Sequence, residues 1–133
     1  MLIKRYTKND EASLFELLKN AGEEWVGYYG EGQQDKYKTA LGSSITYVAY
    51  EADVLCGYCR CRNDDGYGIY VYDLLVDRNY RGKSFGRLLM ERVYADFPED
   101  AIYVMSDVDK YYEKQGYQRI GSIFEVSIPS KIL

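Results

Sequence analysis

The chain has 133 residues, of which 47% are apolar and 29% charged, enough for one globular domain with its own core. A net charge of −4, from 21 acidic and 17 basic residues, argues against a nucleic-acid partner, which would need a basic face. The sequence contains no histidine, so a histidine-based nucleophilic triad and a histidine-ligated metal are excluded. Proton transfer is left to carboxylates, tyrosines, cysteines or a relayed water.

The first residues, Met1-Leu2-Ile3-Lys4-Arg5-Tyr6, carry no long apolar segment, and no apolar run approaches membrane-spanning length. The expectation is a soluble, cytoplasmic protein with no membrane partner, forming a single domain over 1–133. Sixteen tyrosines are far from ordinary. Each joins a large apolar ring to a hydroxyl that needs a partner, so some should line a partly wet groove.

In chain order, residues 2–6 predict a strand, after which Asn9 or Asp10 caps a helix with the buried stripe Leu14, Phe15, Leu17 and Leu18. That helix should stop near Gly22. The stretch 23–34 reads as a loop or broken helix with exposed aromatics, and a second short helix follows at 35–41. Runs 44–51, 54–62 and 68–76 read as an antiparallel meander, turned at Ala52-Asp53 and at Asn63-Asp64-Asp65-Gly66. The third run ends in Leu74-Leu75-Val76, a continuous apolar segment suited to a strand buried on both faces.

Cys59 and Cys61 alternate onto one face of the second run, and with Cys56 they read as reduced core thiols. No second cysteine pair is present to complete a zinc site, so no metal is expected. From Ser84 the period becomes helical, through Phe85, Leu88, Leu89, Val93 and Phe97 as far as Pro98. Residues 101–105 read as a short strand. Ser106 with Asp109 reads as a capping-box variant opening a helix through Gln115, which Gly116 closes. Runs 117–120 and 123–128 predict the last strands. The order β-α-α-β-β-β-α-β-α-β-β describes an α/β (α+β) fold, a mixed sheet flanked by about four helices.

The chemistry lies where the buried strand Asp73-Leu74-Leu75-Val76 ends in a polar turn and runs into a helix opening with Gly82, Lys83, Ser84 and Gly86. Free backbone N–H groups at a helix start, with the helix dipole behind them, attract an anion. Arg81, Lys83 and Arg87 add positive charge, and Gly82 and Gly86 let a pyrophosphate approach the backbone. Two other nucleotide sites fail on pattern. Asp77 stands where a P-loop needs its first glycine, and no GxGxxG follows an early strand.

Arg81-Gly82-Lys83-Ser84-Phe85-Gly86 resembles the [RQ]-x-x-G-x-[GA] motif of the GNAT acetyltransferases, and the preceding Leu74-Leu75-Val76-Asp77-Arg78-Asn79-Tyr80 resembles the run that leads into it. Farther on, Lys110-Tyr111-Tyr112-Glu113-Lys114-Gln115-Gly116-Tyr117 resembles the family's [LF]-Y-E-K-x-G-[FY] signature. The resemblance implies a mostly antiparallel sheet splayed at its middle, with acetyl-CoA in the splay. Leu74, Leu75 and Val76 would then present backbone to the pantetheine arm and thioester, an N–H near Leu75 or Val76 would meet the oxyanion, and Gly82, Lys83, Ser84, Phe85, Gly86 and Arg87 would hold the pyrophosphate. Tyr112 would act as general acid toward the departing CoA sulfur, with Tyr111 beside it as the other ring that could face inward. Two departures stand out. Ser84 replaces the first motif glycine, and Met105 occupies the spacing where many members carry an asparagine.

The reaction implied is direct transfer of acetyl from acetyl-CoA to a primary amine, favoured as a small molecule, with a homodimer as a possible assembly. No feature lowers a thiol pKa at Cys59 or Cys61 for a ping-pong route. The base stays open. Tyr70 occupies the strand position where some members place a glutamate, with Tyr72 and Asp73 nearby, and alternation puts Asp73 on the opposite face from both tyrosines. Glu23 and Glu24 are the other carboxylates near the groove. Trp25, Tyr28 and Tyr29 would wall the acceptor or attract a cation. The alternatives are a longer acyl donor, a protein amine as acceptor, a CoA-binding domain without turnover, and an interaction module docking through its aromatics.

Overall fold

The structure is a computed structural model that describes residues 1–129. Five strands form one sheet in the order β1-β2-β3-β4-β5, namely β1 (Leu2–Arg5), β2 (Ile45–Glu51), β3 (Val54–Asn63), β4 (Ile69–Val76) and β5 (Ile102–Val104). The first four are antiparallel neighbours, and β5 alone runs parallel, against β4. A parallel return needs a crossover. Helix α4 (Phe85–Asp96) supplies it.

Helices α1 (Glu11–Ala21), α2 (Val26–Tyr29) and α3 (Gln34–Ser43) connect β1 to β2, and α5 (Asp109–Lys114) follows β5. The α1 stripe is buried as its period requires, with Leu14 and Leu18 fully enclosed. Gly22 ends the helix at φ 108°, a backbone that other residues adopt at a cost. At the entry to α1, Asp10 accepts from the Thr7 backbone N–H at 2.8 Å, from Lys4 Nζ at 2.6 Å and from the Tyr50 hydroxyl at 2.6 Å.

Two cores lie on either side of the sheet. One sets α4 (Phe85, Leu89, Val93) against Cys59, Cys61 and Val71. The other sets α1 and α3 (Leu14, Leu18, Leu41) against Val48, Tyr58 and Leu75. At about 1.5–3 kcal/mol for each large apolar side chain removed from water, these layers hold the sheet and fix where β4 ends. The three cysteines are fully buried among the α4-side residues, in agreement with the reading of core thiols.

β5 pairs only with Ile69, Tyr70 and Val71 of β4. The strands part beyond that point, leaving Tyr72 to Val76 without a neighbour on the β5 side among the described residues. This is the splay.

The structure corrects four expectations. Runs 117–120 and 123–128 form no strand. From 118 to 129 every residue is exposed, because the alternating pattern finds no surface of its own chain to pack on, and β-propensity acts mainly through such packing. Ser106 and Asp109 do not cap α5. The Ser106 hydroxyl donates to the Asp109 carboxylate at 2.8 Å and accepts from the Val108 N–H at 3.1 Å, so each satisfies the other rather than the helix. The stretch 23–34 holds a 3-10 turn and α2, and its aromatics are half-buried rather than exposed, since Trp25 and Tyr28 pack against the α1-side core.

Asp73 also departs from expectation. A β-bulge lets Arg60 pair with Asp73 while Cys61 pairs with Val71, so Tyr72 is an extra residue. The extra residue reverses the alternation. Asp73 therefore shares the face of Tyr70 and Tyr72, opposite Val71 and Leu74.

Candidate functional site

The splay opens onto the start of α4. Asp77 donates its N–H to the Cys56 carbonyl at 2.8 Å, which makes that pair the bonded one. Alternation along β4 then turns the Leu75 backbone toward β3 and the Leu74 and Val76 backbone groups away from it, into the splay. The Arg81 guanidinium already uses one of these groups, donating to the Val76 carbonyl at 3.1 Å. Asp77 fixes the turn by accepting from the Asn79 N–H at 2.8 Å.

Ser84 is the N-cap of α4 and sits in the left-handed region at φ 67°, ψ 15°, without a side-chain capping bond. The structure thus explains why a glycine suits this position: the turn needs positive φ, and serine pays for it in strain. Gly82, at φ 79°, meets the same demand earlier in the turn. The amides of Phe85, Gly86 and Arg87 form the first turn, where intrahelical partners are lacking.

Arg81, Gly82, Lys83 and Ser84 are exposed around this mouth, whereas the Phe85 ring is buried under the helix and only its backbone can contribute. Lys83 Nζ lies 5.3 Å from the Tyr80 ring centroid, and Arg87 pairs with Glu91 at 2.7 Å. The side chains of Leu74 and Val76 pack on the α4 side, and that of Leu75 on the α1 side.

Helix α5 closes the other wall. The Tyr111 hydroxyl rests directly on Gly86, in the space a Cβ would fill. Tyr112 is the inward ring, 9% exposed, stacked on Tyr117 at 6.2 Å and edge-on to Tyr111 at 5.1 Å. Burial, with Tyr111 and Asp107 adding to it, pushes the Tyr112 phenol well above its ordinary range. A hollow of about 440 Å³, lined by 106–111, opens beside this helix.

On the α1 side of the bulge lies a connected polar cluster. Asp73 accepts from Tyr28 at 2.8 Å, from Tyr37 at 2.7 Å and from Arg60 Nε at 2.6 Å, and the Tyr37 and Tyr58 hydroxyls meet at 2.7 Å. The Tyr28 phenol is pushed up to about 12 by burial and by the Asp73 carboxylate. Burial alone would lower the Arg60 guanidinium, but the bond to Asp73 and its charge outweigh this and hold it above its usual value. The Arg60 guanidinium also lies 5.6 Å from the Tyr72 ring centroid; Tyr72 stacks near Tyr70 at 6.5 Å, and Tyr70 lies against Tyr103 at 5.1 Å.

Tyr28, Tyr70 and Tyr72 are therefore brought into one constellation, with Trp25 joined to it through Tyr28 at 5.6 Å. Glu23 and Glu24 stand outside on an exposed turn. Sequence reasoning missed Arg60, Tyr37, Tyr58 and Tyr103. A charged residue between Cys59 and Cys61, facing an acidic residue in the next apolar strand, was the available signal for the first.

Cys59 and Cys61 are fully buried, and the Cys59 thiol is raised far above its ordinary value by its contact with Cys61 and by burial. Neither can meet a substrate in this fold. Among the described residues no cluster of histidine, cysteine or carboxylate side chains is placed to hold a metal ion, and no helix is long and apolar enough to cross a membrane.

Comparisons with known proteins bear on this geometry. A GNAT-family acetyltransferase protein of Streptococcus pneumoniae superposes with a TM-score of 0.71 at 20% identity, covering 94% of this chain and 97% of that one. An aminoglycoside 6'-N-acetyltransferase solved with coenzyme A gives a TM-score of 0.73 at 18% identity, over 91% of this chain and 87% of the other. These likenesses establish a shared fold. In sequence, the chain is 20% identical over 112 residues to GCN5-related N-acetyltransferase 2, chloroplastic, of Arabidopsis thaliana; the match takes in 80% of this chain but spans only 38% of that relative's length. Residues 42–119 match the acetyltransferase (GNAT) domain, and with more than half of its length inside that match the chain belongs to the GNAT acetyltransferase family.

Proposed function

We propose that this chain, as a single domain, moves the acetyl group of acetyl-CoA onto a primary amine of a small molecule by direct attack. The observation that carries the reading is the junction of β4 and α4. There, Leu74 and Val76 backbone without a partner strand on the β5 side, a left-handed Ser84 and the first-turn amides of α4 lie together at the mouth of one splay.

The residues present fit the donor. The amides of Gly82 to Arg87, with Arg81 and Lys83 beside them, would hold a pyrophosphate, and the open backbone of Leu74 and Val76 would hydrogen-bond an amide-bearing arm. Bound there, acetyl-CoA supplies an activated acyl group as its thioester. The Val76 N–H, turned into the splay, would donate to the carbonyl oxygen as charge develops on it. Tyr112 holds its proton through the neutral range and can donate it to a sulfur leaving group.

The acceptor enters from the α1 side, where Trp25, Tyr28, Tyr70 and Tyr72 offer ring faces that attract a cationic amine. Asp73 already accepts three hydrogen bonds from the protein and is a positioning residue for Tyr28 rather than a free base. Glu23, Glu24 or water remains for the proton the amine loses. Cytoplasmic residence accords with this co-substrate.

The direct test is thermal unfolding with and without acetyl-CoA, for the wild type and for Gly86→Trp. Ligand at about 100 times its dissociation constant stabilises by ~2.7 kcal/mol. A shift in the wild type that a folded Gly86→Trp loses supports the site. No shift at millimolar acetyl-CoA overturns the function.

A further inference from the structure

We propose that the acceptor carries a carboxylate as well as its amine, and that Arg62 receives this carboxylate on the tyrosine-lined face beside the splay. The inference rests on the acetyl-transfer reading above and narrows its acceptor to a small amino-acid-like molecule.

The charges on this face do not balance. Arg60 and Arg62 stand two apart on β3, so both project to the α1 side, where Arg60 meets Asp73. Ser44 Oγ accepts from both guanidinium groups, from Arg60 Nη1 at 3.2 Å and from Arg62 Nη1 at 3.1 Å. One neutral hydroxyl therefore holds two like charges side by side. Asp73 compensates Arg60 at 2.6 Å, whereas Arg62 has no carboxylate partner among the described residues. One unmatched cation is left.

The surroundings suit an organic anion. Arg62 stands opposite Tyr70 in the sheet register, and Tyr70 stands opposite Tyr103. Gly68 leaves room for this strip, since a Cβ there would lie 2.8 Å from the Tyr103 ring and 3.3 Å from the Tyr70 ring. The hydroxyls of Tyr28, Tyr37 and Tyr58 are all bonded within the polar cluster. Those of Tyr70, Tyr72 and Tyr103 have no protein partner among the described residues, and none is buried without one, so they open to water and can donate. Tyr72, 43% exposed, is the bulge residue just past the last β5 pair, so the strip runs into the splay.

The same face disfavours an acceptor with several ammonium groups. Asp73, the carboxylate bonded into it, already accepts from Tyr28, Tyr37 and Arg60. A second ammonium would meet Arg62 with no acid to answer it. A carboxylate there gains charge-assisted bonds, for which the planar guanidinium is well shaped. The amine then lies toward Tyr28 and Trp25, whose ring faces attract it.

Acceptor pairs that differ by one carboxylate test this: lysine against cadaverine, 6-aminohexanoate against pentylamine, and phenylalanine against phenethylamine. With the full chain and acetyl-CoA, kcat/KM for the carboxylate-bearing member of at least one pair should exceed that of its partner by about 10-fold or more, chiefly through KM. Arg62→Gln should cut that ratio about tenfold, and Arg62→Lys should keep part of it. A ratio of one or less in all three pairs overturns the proposal, as does a ratio that Arg62→Gln leaves unchanged. If no pair is acetylated, binding decides. Millimolar 3-phenylpropionate should shift the NMR signals of Arg62 and Tyr70 in the wild type and not in folded Arg62→Gln; no shift in the wild type, or the same shift in both, overturns the proposal. Failure of the transfer reading is seen separately, as the absence of a thermal shift with acetyl-CoA, which involves no acceptor.

Discussion

Arg60 Nε lies 2.6 Å from Asp73 Oδ2 across the β3–β4 bulge, with side-chain exposures of 14% and 3%. The extra residue, Tyr72, turns Asp73 out of the α4-side core and onto the face where Arg60, Tyr28 and Tyr37 wait. Without the bulge, alternation would leave a carboxylate among Val71, Leu89 and Cys59. The pair and the break in the strand therefore explain one another, and both lie next to the point where β4 and β5 part.

Removing one member of such a pair strands a charge. Asp73→Ala should cost about 3–5 kcal/mol, read by urea unfolding, while Arg60→Leu combined with Asp73→Leu should recover most of that loss. A single-variant loss under about 1 kcal/mol would mean that water screens the pair.

Ser84 gives a prediction of opposite sign. Its φ of 67° is a conformation that glycine adopts freely and that costs an L-residue about 1–2 kcal/mol. Glycine is also freer in the unfolded chain, so the net gain from Ser84→Gly should be near ~1 kcal/mol, or about 3–5 °C in Tm. The acetyl-CoA-induced shift should persist in this variant, because the amides it relies on are backbone. A lower Tm would show that the Ser84 hydroxyl contributes more than the strain removes.

These two sites also show what the sequence could and could not reveal. The Arg81–Gly86 turn was legible because its chemistry is local: a helix start, small residues and basic side chains all fall within six positions. The helix stripes and the meander were legible for the same reason. The bulge was not. A single inserted residue reverses every later side chain of β4 yet leaves no mark in composition, and period-two reasoning put Asp73 on the wrong face. The tail failed differently. Its pattern is that of a strand, but pattern specifies only an apolar face and not the surface that covers it.

Asp10 contributes acid sensitivity at the entry to α1. Burial alone would raise its carboxyl, but the bonds from Lys4, Tyr50 and the Thr7 backbone together outweigh this and hold it below its ordinary 3.8. A depressed folded pKa means that the carboxylate stabilises the fold above the unfolded value. That contribution starts to fall as pH drops past about 4 and is gone below the folded pKa. Asp10→Asn should therefore lower stability by about 1–3 kcal/mol at pH 7, and the gap to wild type should narrow as pH falls below about 4. Unfolding midpoints measured from pH 7 to pH 2 decide it, and a gap that widens on acidification contradicts the assignment.

Tyr111 and Tyr112 separate the general-acid role from wall-building. Tyr112 is the buried ring, while Tyr111 rests its hydroxyl on Gly86 and is 38% exposed. If Tyr112 donates the proton to the leaving sulfur, Tyr112→Phe should lower kcat by about 10²-fold or more. KM for acetyl-CoA should change little, since the ring and its packing remain. Tyr111→Phe should leave kcat within a few-fold and act, where it acts at all, on acetyl-CoA affinity. The pH profile adds an independent check. Burial raises the Tyr112 pKa above the ordinary 10.0, so the phenol stays protonated to that pH and beyond. A required donor with a raised pKa loses activity only above it, so wild-type kcat should show no falling limb between pH 7 and pH 10. A falling limb near pH 8, or a Tyr112→Phe variant with undiminished kcat, would remove Tyr112 from the reaction and leave the proton to water in the splay.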